Sequence, residues 1–347
     1  MKQYKSLDFA KFICAILIII LHTEPLSTYS SLATFGLRNI VTIIAVPFFF
    51  FTSGFLAFKK IGTLSEDKKN PYMVQYLKRV AIMYCIWSVV YLPFVVIKWV
   101  REGFSVFSVI EYIRDFFFEG SYSTIWFLPA LFTAVLLTYL LHKKLTYRTI
   151  FIIACVIYIF TLGGSSYFGL VTQIPLIKNI YEGYYLVFDS IKNGVCFGLL
   201  FVSLGATFSE KEETVIQKVT PGKAFLPVCL FAVMIALEAF AVAYFDWNGK
   251  GVDTLITLVP FSYYFARFLL VWDVKISDDI CVLMRKYSIL MFLTQRLPMS
   301  ILDVFLSETI LVQNSILYFV TVFVVTIGVS FVILQASKKF KWIRFAY

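Results

Sequence analysis

Charge is scarce in this chain. Asp, Glu, Lys and Arg make up 15% of its 347 residues, where soluble domains carry about a quarter. So few charges cannot wet the whole surface of a folded domain, which excludes an ordinary soluble protein. Histidine occurs only at positions 22 and 142, too few for a multi-histidine metal site. The six cysteines (Cys14, Cys85, Cys155, Cys196, Cys229, Cys281) are scattered through apolar stretches with no paired spacing. They read as small buried apolar residues, not as a disulfide framework or metal ligands. Carboxylates form no hard-metal cluster in the sequence, so no metal is expected. No internal repeat, low-complexity tract or polar terminal domain is visible. The first apolar run lacks a small-residue cleavage site and is expected to stay as a span. Residues 1–347 are therefore expected to form a single membrane domain.

What is present in quantity is apolar: 60% hydrophobic residues, 19% aromatic, and a mean hydropathy of +0.83. Runs of ~20 apolar residues, each enough to cross a bilayer as a helix, fall near 7–27, 39–58, 80–100, 125–142, 149–164, 193–208, 224–245, 254–272, 287–306 and 315–336. The fifth and sixth are short and are expected to be tilted or broken. The predicted fold is all-α: a polytopic transmembrane helical bundle of about ten spans in the lipid bilayer. The formal charge of +10 does not point to nucleic acid, because the basic residues sit in short connections between apolar runs. Connections on one side, counting from the N-terminus, hold 22 Lys and Arg against 7 on the other. By the positive-inside rule both termini are expected to be cytoplasmic and the span number even.

Two connections on the opposite side are long. Residues 101–124 and 165–192 mix aromatics with charges and are expected to lie along the interface or re-enter the bundle. Their tyrosines either face a sugar or form the aromatic belt at the water boundary.

The first span carries His22 at apolar depth, and an ionisable group there is a functional-site hypothesis by default. Lys11 precedes it by eleven residues, which is roughly three helical turns plus ~20°, or ~16 Å of rise. Both side chains are therefore expected on one helix face, the lysine near a membrane surface and the imidazole well inside. The competing readings are an interhelical hydrogen bond for His22 and headgroup snorkelling for Lys11. Further intramembrane charges need partners that the sequence does not place: Glu238 and Arg296 fall at comparable depth and could pair across the bundle, Arg267 lies nearer the cytoplasmic side, and Asp303 nearer the outer one. Glu24 would point some ~200° away from His22 on a regular helix, so a structural role is expected for it. His142, followed by Lys143 and Lys144, reads as surface.

Asp8, Lys11 and His22 also match the Asp-x-x-Arg, ten residues, His opening of the acyltransferase 3 family of integral membrane acyltransferases. Residues 47–56 (PFFFFTSGFL) resemble that family's Phe-rich second helix ending in Ser-Gly-Phe. The stretch 77–80 (LKRV) resembles its basic segment before the third helix, 126–131 (WFLPAL) its fourth-helix signature, and 286–293 (KYSILMFL) a late helix with an aromatic-Ser pair. The order is the family's order. The sequence departs from it in carrying Lys11 for arginine, Gln295 where many relatives have histidine, and a single Arg79 for a double arginine.

The resemblance implies an acyl-CoA donor, usually acetyl-CoA, on the cytoplasmic side of the cell membrane. It implies as acceptor a hydroxyl of an extracytoplasmic carbohydrate or lipid-linked glycan. On that footing His22 would be the general base, Lys11, Lys78 and Arg79 would meet the CoA phosphates, and Trp126 would stack on adenine or pack the thioester arm. The bland alternatives are orientation charges for Lys78 and Arg79 and belt packing for Trp126. Gly54, with Ser53, is expected to permit close helix approach. Two other functions compete: a small-molecule transporter or binding module, since members of this family also occur as membrane halves fused to other enzymes, and a scaffold for envelope assembly. The absence of a fused domain in this chain counts against the fused-module use.

Overall fold

The computed structural model describes residues 4–216 and 219–347, and these are predominantly helical, with no strand among them. The helices are α1 (Lys5–Thr23), α2 (Ser31–Gly62), α3 (Glu66–Glu102), α4 (Val106–Phe118), α5 (Phe127–His142), α6 (Tyr147–Gly164), α7 (Pro175–Tyr185), α8 (Gly194–Glu212), α9 (Pro221–Tyr244), α10 (Leu258–Val271), α11 (Asp278–Phe305) and α12 (Ser315–Lys339). Eight of them are long and apolar enough to cross a membrane, and α5 and α10 are shorter apolar helices. All ten lie on the ten apolar runs. The short ones are thus the fourth and eighth runs, whereas the fifth is a regular helix of 18 residues. The sixth is irregular as expected: it opens with a π-turn over Gly194–Gly198.

Local chemistry sets the ends. Asn193 accepts from the N–H groups of Val195 and Cys196 at the start of α8. Thr146 caps α6 through Thr149, and Asn314 caps α12 through Ile316 and Leu317. Each satisfies backbone donors that have no partner within the helix. Proline sets the bends. Pro47 lacks an N–H and crowds the preceding turn, and α2 passes through a π-turn at Leu37–Val41 and a 3-10 turn at Thr42–Ile44 just before it. In α11 the regular helix is interrupted at Gln295, three residues before Pro298.

α1 is central, packed against α2, α10, α11 and α12. α2 and α8 make the most extensive helix pair, and glycine is the reason. A Cβ on Gly54 would stand 2.3 Å from the Val202 carbonyl oxygen, and one on Gly205 would stand 2.2 Å from that of Phe51. Gly54 thus permits the close approach expected of it. α9 is peripheral and two-faced. Leu226, Leu230, Val233 and Leu237 are exposed on one stripe, while Val228, Ile235, Ala239 and Val242 are buried on the other. That outer stripe suits lipid, which solvates apolar side chains that water would not.

The two long outer connections carry the amphipathic helices α4 and α7. They are tied down by polar contacts: the Tyr84 hydroxyl donates to the Phe116 carbonyl at 2.7 Å, and Arg114 pairs with Asp189 at 2.6 Å.

The glycine contact predicts an asymmetric pair of variants. Gly205→Leu forces α2 and α8 apart and costs on the order of 3 kcal/mol or more. It should abolish a monodisperse peak in detergent size-exclusion chromatography. Gly328→Ala, whose added Cβ meets nothing within 4 Å, should leave the peak and the melting temperature unchanged or slightly raised.

Candidate functional site

On α1 the side chains of Lys11, Ala15, Ile18 and His22 recur every three or four residues and form one stripe. Two cavities lie along it. The inner one, about 320 Å³, is lined by Lys11, Ser53, Tyr76, Arg79, Arg285 and Tyr347 among others. The outer one, about 110 Å³, is lined by Ile18, His22, Arg38, Thr124, Trp126 and Lys192 among others. Phe127 and Phe292 belong to the walls of both. With Phe49 they form a triangle of rings: Phe127 to Phe292 at 5.3 Å between centroids, Phe49 to Phe292 at 5.8 Å and Phe49 to Phe127 at 6.2 Å. Lys11 and His22 therefore border two neighbouring cavities that share Phe127 and Phe292 in their walls.

The inner chamber is basic. Arg285 grips Asp8 with two hydrogen bonds, Nε to Oδ1 at 2.9 Å and Nη2 to Oδ2 at 2.5 Å. This bidentate clasp joins α11 to α1. Lys11 has no carboxylate within ion-pair distance among the described residues, and its ammonium opens to the chamber. Arg79 donates to a main-chain oxygen of Tyr347 at 3.0 Å. A second concavity of about 610 Å³ adjoins, sharing Arg79 and Tyr347 and adding Lys286, Lys338 and Arg344. Lys78 is exposed and lines neither chamber. The sequence reading counted Arg285, Lys286, Lys338 and Arg344 only as orientation charges. The signal that could have marked Arg285 is Asp8, an acid on an apolar helix that needs a buried partner.

Around His22 the cations are already answered. Arg38 pairs with Glu24 at 2.5 Å and Lys192 with Asp253 at 2.5 Å. Burial alone would raise the Asp253 carboxyl, but Lys192 and Arg38 outweigh it and hold the acid below its ordinary range. Glu24 adopts the left-handed conformation at φ 43° as α1 ends before Pro25, and its carboxylate serves Arg38, the structural role expected of it. Among the described residues neither ring nitrogen of His22 has a hydrogen-bond partner. The Thr124 hydroxyl in the same wall is buried and unpartnered. The pocket thus offers an unpartnered imidazole and a spare hydroxyl beside the rings of Trp126, Phe127, Phe197 and Phe292. Trp126 stands here against Phe50 and Phe197, with His22 and away from Lys11 and Arg79. Trp126 thus lines the His22 cavity and not the basic one.

Other charges resolve differently from expectation. Glu238 does not pair with Arg296. It accepts from the N–H groups of Ile256 and Thr257 and from the hydroxyls of Thr257 and Tyr167, so it caps the start of α10. A carboxylate at a helix N-terminus meets unsatisfied donors and the positive end of the helix dipole, which replaces the ion pair. Asp303 accepts from the Tyr318 hydroxyl at 2.8 Å. His142 is not free surface: its ring stacks on Tyr147 at 3.6 Å. Asp115, Glu119 and Asp189 bring their oxygens within 4.8 Å of one another. Arg114 pairs with Asp115 and Asp189, and Glu119 accepts the Ser190 N–H.

Comparison with known proteins completes the picture. The family model described as an acyltransferase domain matches residues 4–335. An amino-acid racemase of Enterococcus faecalis is 31% identical over 218 residues, 62% of this chain and 30% of that protein. A serine/alanine racemase of Enterococcus gallinarum is 24% identical over 346 residues, 98% of this chain and 47% of the relative. The chain thus spans about half the length, or less, of the curated relatives it matches. No solved structure matches it.

The Asp8–Arg285 clasp is testable by stability. Arg285→Ala strands the Asp8 carboxylate, whose side chain is 4% exposed, and should cost roughly 3 kcal/mol. Thermal unfolding in detergent should show a clear fall in midpoint, largely recovered in the double variant Asp8→Asn/Arg285→Gln.

Proposed function

The chain belongs to the acyltransferase family, and on that premise we propose that it moves an acyl group, acetyl by preference, from acyl-CoA to a carbohydrate hydroxyl, with His22 as general base. The donor enters from the cytoplasm, where both termini lie, and the acceptor is an extracytoplasmic or lipid-linked glycan at the cell membrane. What carries the reading is the single stripe on α1: a cation in a basic chamber and an unpartnered imidazole in the next, one aromatic layer apart.

In this reaction Lys11 and Arg79 hold donor phosphates, with Lys286, Lys338 and Arg344 extending the same positive field and Lys78 at its exposed rim. The slender thioester arm passes the phenylalanine layer and brings its carbonyl beside His22 and Trp126. The acceptor oxygen attacks the carbonyl carbon while a ring nitrogen of His22 takes the hydroxyl proton. Charge builds on the carbonyl oxygen, and the spare Thr124 hydroxyl supplies a donor for it. The carbon–sulfur bond then breaks, and the imidazolium returns its proton to the departing thiolate. The products are the ester and the free thiol. The aromatic walls keep water from the thioester during this exchange.

His22→Ala should lower transfer of labelled acetyl from acetyl-CoA by about 10²-fold or more, with an unchanged size-exclusion profile. Unchanged turnover would remove His22 from this role. Phe292→Ala, which thins the layer between the chambers, should raise acetyl-CoA hydrolysis relative to transfer.

A second reading has one observation in its favour. The relatives are named for racemases acting on serine and alanine or on amino acids, and they are about twice the length of this chain or more. In that reading the two chambers bind or pass a small molecule without acyl transfer, and the phenylalanine layer is the point of occlusion. Uptake of a labelled amino acid into liposomes without acyl-CoA, abolished by Phe127→Trp, is the result that would favour it.

A further inference from the structure

Arg296 is the intramembrane cation that the site above does not use. It follows the interruption of α11 at Gln295, and its Nε is buried with no hydrogen-bond partner. Its recorded contact is an Nη1 3.9 Å from the Met299 sulfur. No carboxylate lies within ion-pair distance of it among the described residues. An unpaired guanidinium on an apolar helix is costly and needs an anion to answer it.

The space it faces is a pocket of about 280 Å³ at the outer ends of α3 and α11. Its walls carry Lys98, Arg101 and Arg296 against Glu102 and Asp303, a surplus of one positive charge. Both acids are already engaged: Asp303 accepts from Tyr318, and Glu102 lies 3.8 Å from Lys98. Arg101 donates to the Val304 carbonyl at 2.9 Å. The guanidinium is thus the group left unanswered. Tyr122 and Ser300 share a hydrogen bond of 2.7 Å at the same wall, which leaves lone pairs and one O–H donor to spare.

We propose that this pocket binds a small oxoanion, a carboxylate or a phosphate, on a hydroxylated molecule of roughly monosaccharide size. The planar fork of Arg296 takes two oxygens of the anion side by side, as guanidinium does with carboxylate and phosphate. Ser300 and Tyr122 meet the neighbouring hydroxyls. A volume of about 280 Å³ lies near the lower end of the range for small-molecule sites, roughly 300 Å³. The same oxoanion reaches the pocket on a soluble molecule or on a lipid headgroup. The pocket shares no lining residue with the His22 chamber, so its occupancy does not depend on acyl transfer.

The test uses the full chain in phosphatidylcholine nanodiscs, titrated with inorganic phosphate, glucuronate and uncharged glucose while heat of binding and thermal unfolding are followed. Glucuronate or phosphate should bind saturably and raise the unfolding midpoint, and glucose should not. Arg296→Gln should weaken binding at least tenfold. Arg296→Lys, which keeps the charge and loses the fork, should fall between. Arg101→Gln serves as a second variant should Arg296→Gln fail to fold, and should also weaken binding. His22→Ala should bind as the wild type does, even if it no longer transfers acetyl. Stabilisation seen only in nanodiscs containing phosphatidylglycerol, and lost in Arg296→Gln, assigns the oxoanion to a headgroup. If no anion, soluble or lipid, distinguishes wild type from both arginine variants, the proposal is overturned.

Discussion

The clasp between Asp8 and Arg285 sets the register on which the interior depends. α1 and α11 run side by side in the same direction from this ion pair. Levels along the two helices can therefore be counted from it at ~1.5 Å per residue. Lys11 sits ~5 Å above the pair and His22 ~21 Å above it, while Phe292 on the neighbouring helix comes at ~10 Å. The ring that divides the corridor therefore falls between cation and imidazole as a consequence of that register. Phe49 and Phe127 complete the layer from α2 and α5, and glycine contacts lock α2 to α8 behind it. One buried acid thus fixes the relative height of the groups along the corridor.

The architecture was legible because a bilayer permits few solutions. Long apolar runs must become helices whose backbone groups bond internally, and every expected run is one. The irregularities were less legible. Pro47 and Pro298 mark their bends by chemistry, whereas the π-turn at 194–198 opens a run marked in the sequence only by its shortness. Glu238 shows the same limit. Its depth suggested an ion pair with Arg296, yet the donors that answer it belong to the backbone at the start of α10, and the position of a chain end in space cannot be read from a run of apolar residues.

For the site, helical phase was the reliable guide. An eleven-residue step predicted a shared face for Lys11 and His22, and each lines one of two cavities that share Phe127 and Phe292. The same rule separates Lys78 from Arg79. Adjacent residues differ by ~100° around a helix, and of these two exposed residues it is the arginine that borders the basic chamber. Trp126 was placed by motif and not by depth. It immediately precedes α5, beside His22 and away from the charges of the basic chamber. Arg285 was hidden among orientation charges because charge counting is blind to pairing.

The aromatic layer is where membrane physics and the proposed chemistry meet. An enzyme taking a thioester from one side and an alcohol from the other must let its substrates touch without letting water or ions through. A continuous pore would fail on both counts, and a thick plug would keep a tethered carbonyl from the base. Three rings contributed by three helices satisfy both demands. Their apolar faces stand between the charged groups of the two chambers, and side-chain rotation is the smallest motion that moves a ring aside. Rotation of an aromatic side chain breaks no hydrogen bond and exposes no backbone group, so opening costs contact energy and not a desolvated polar atom. Moving a helix would cost the Asp8–Arg285 clasp and the glycine contacts. The cheap motion is therefore the one that lies on the route, and the expensive ones hold the route in place.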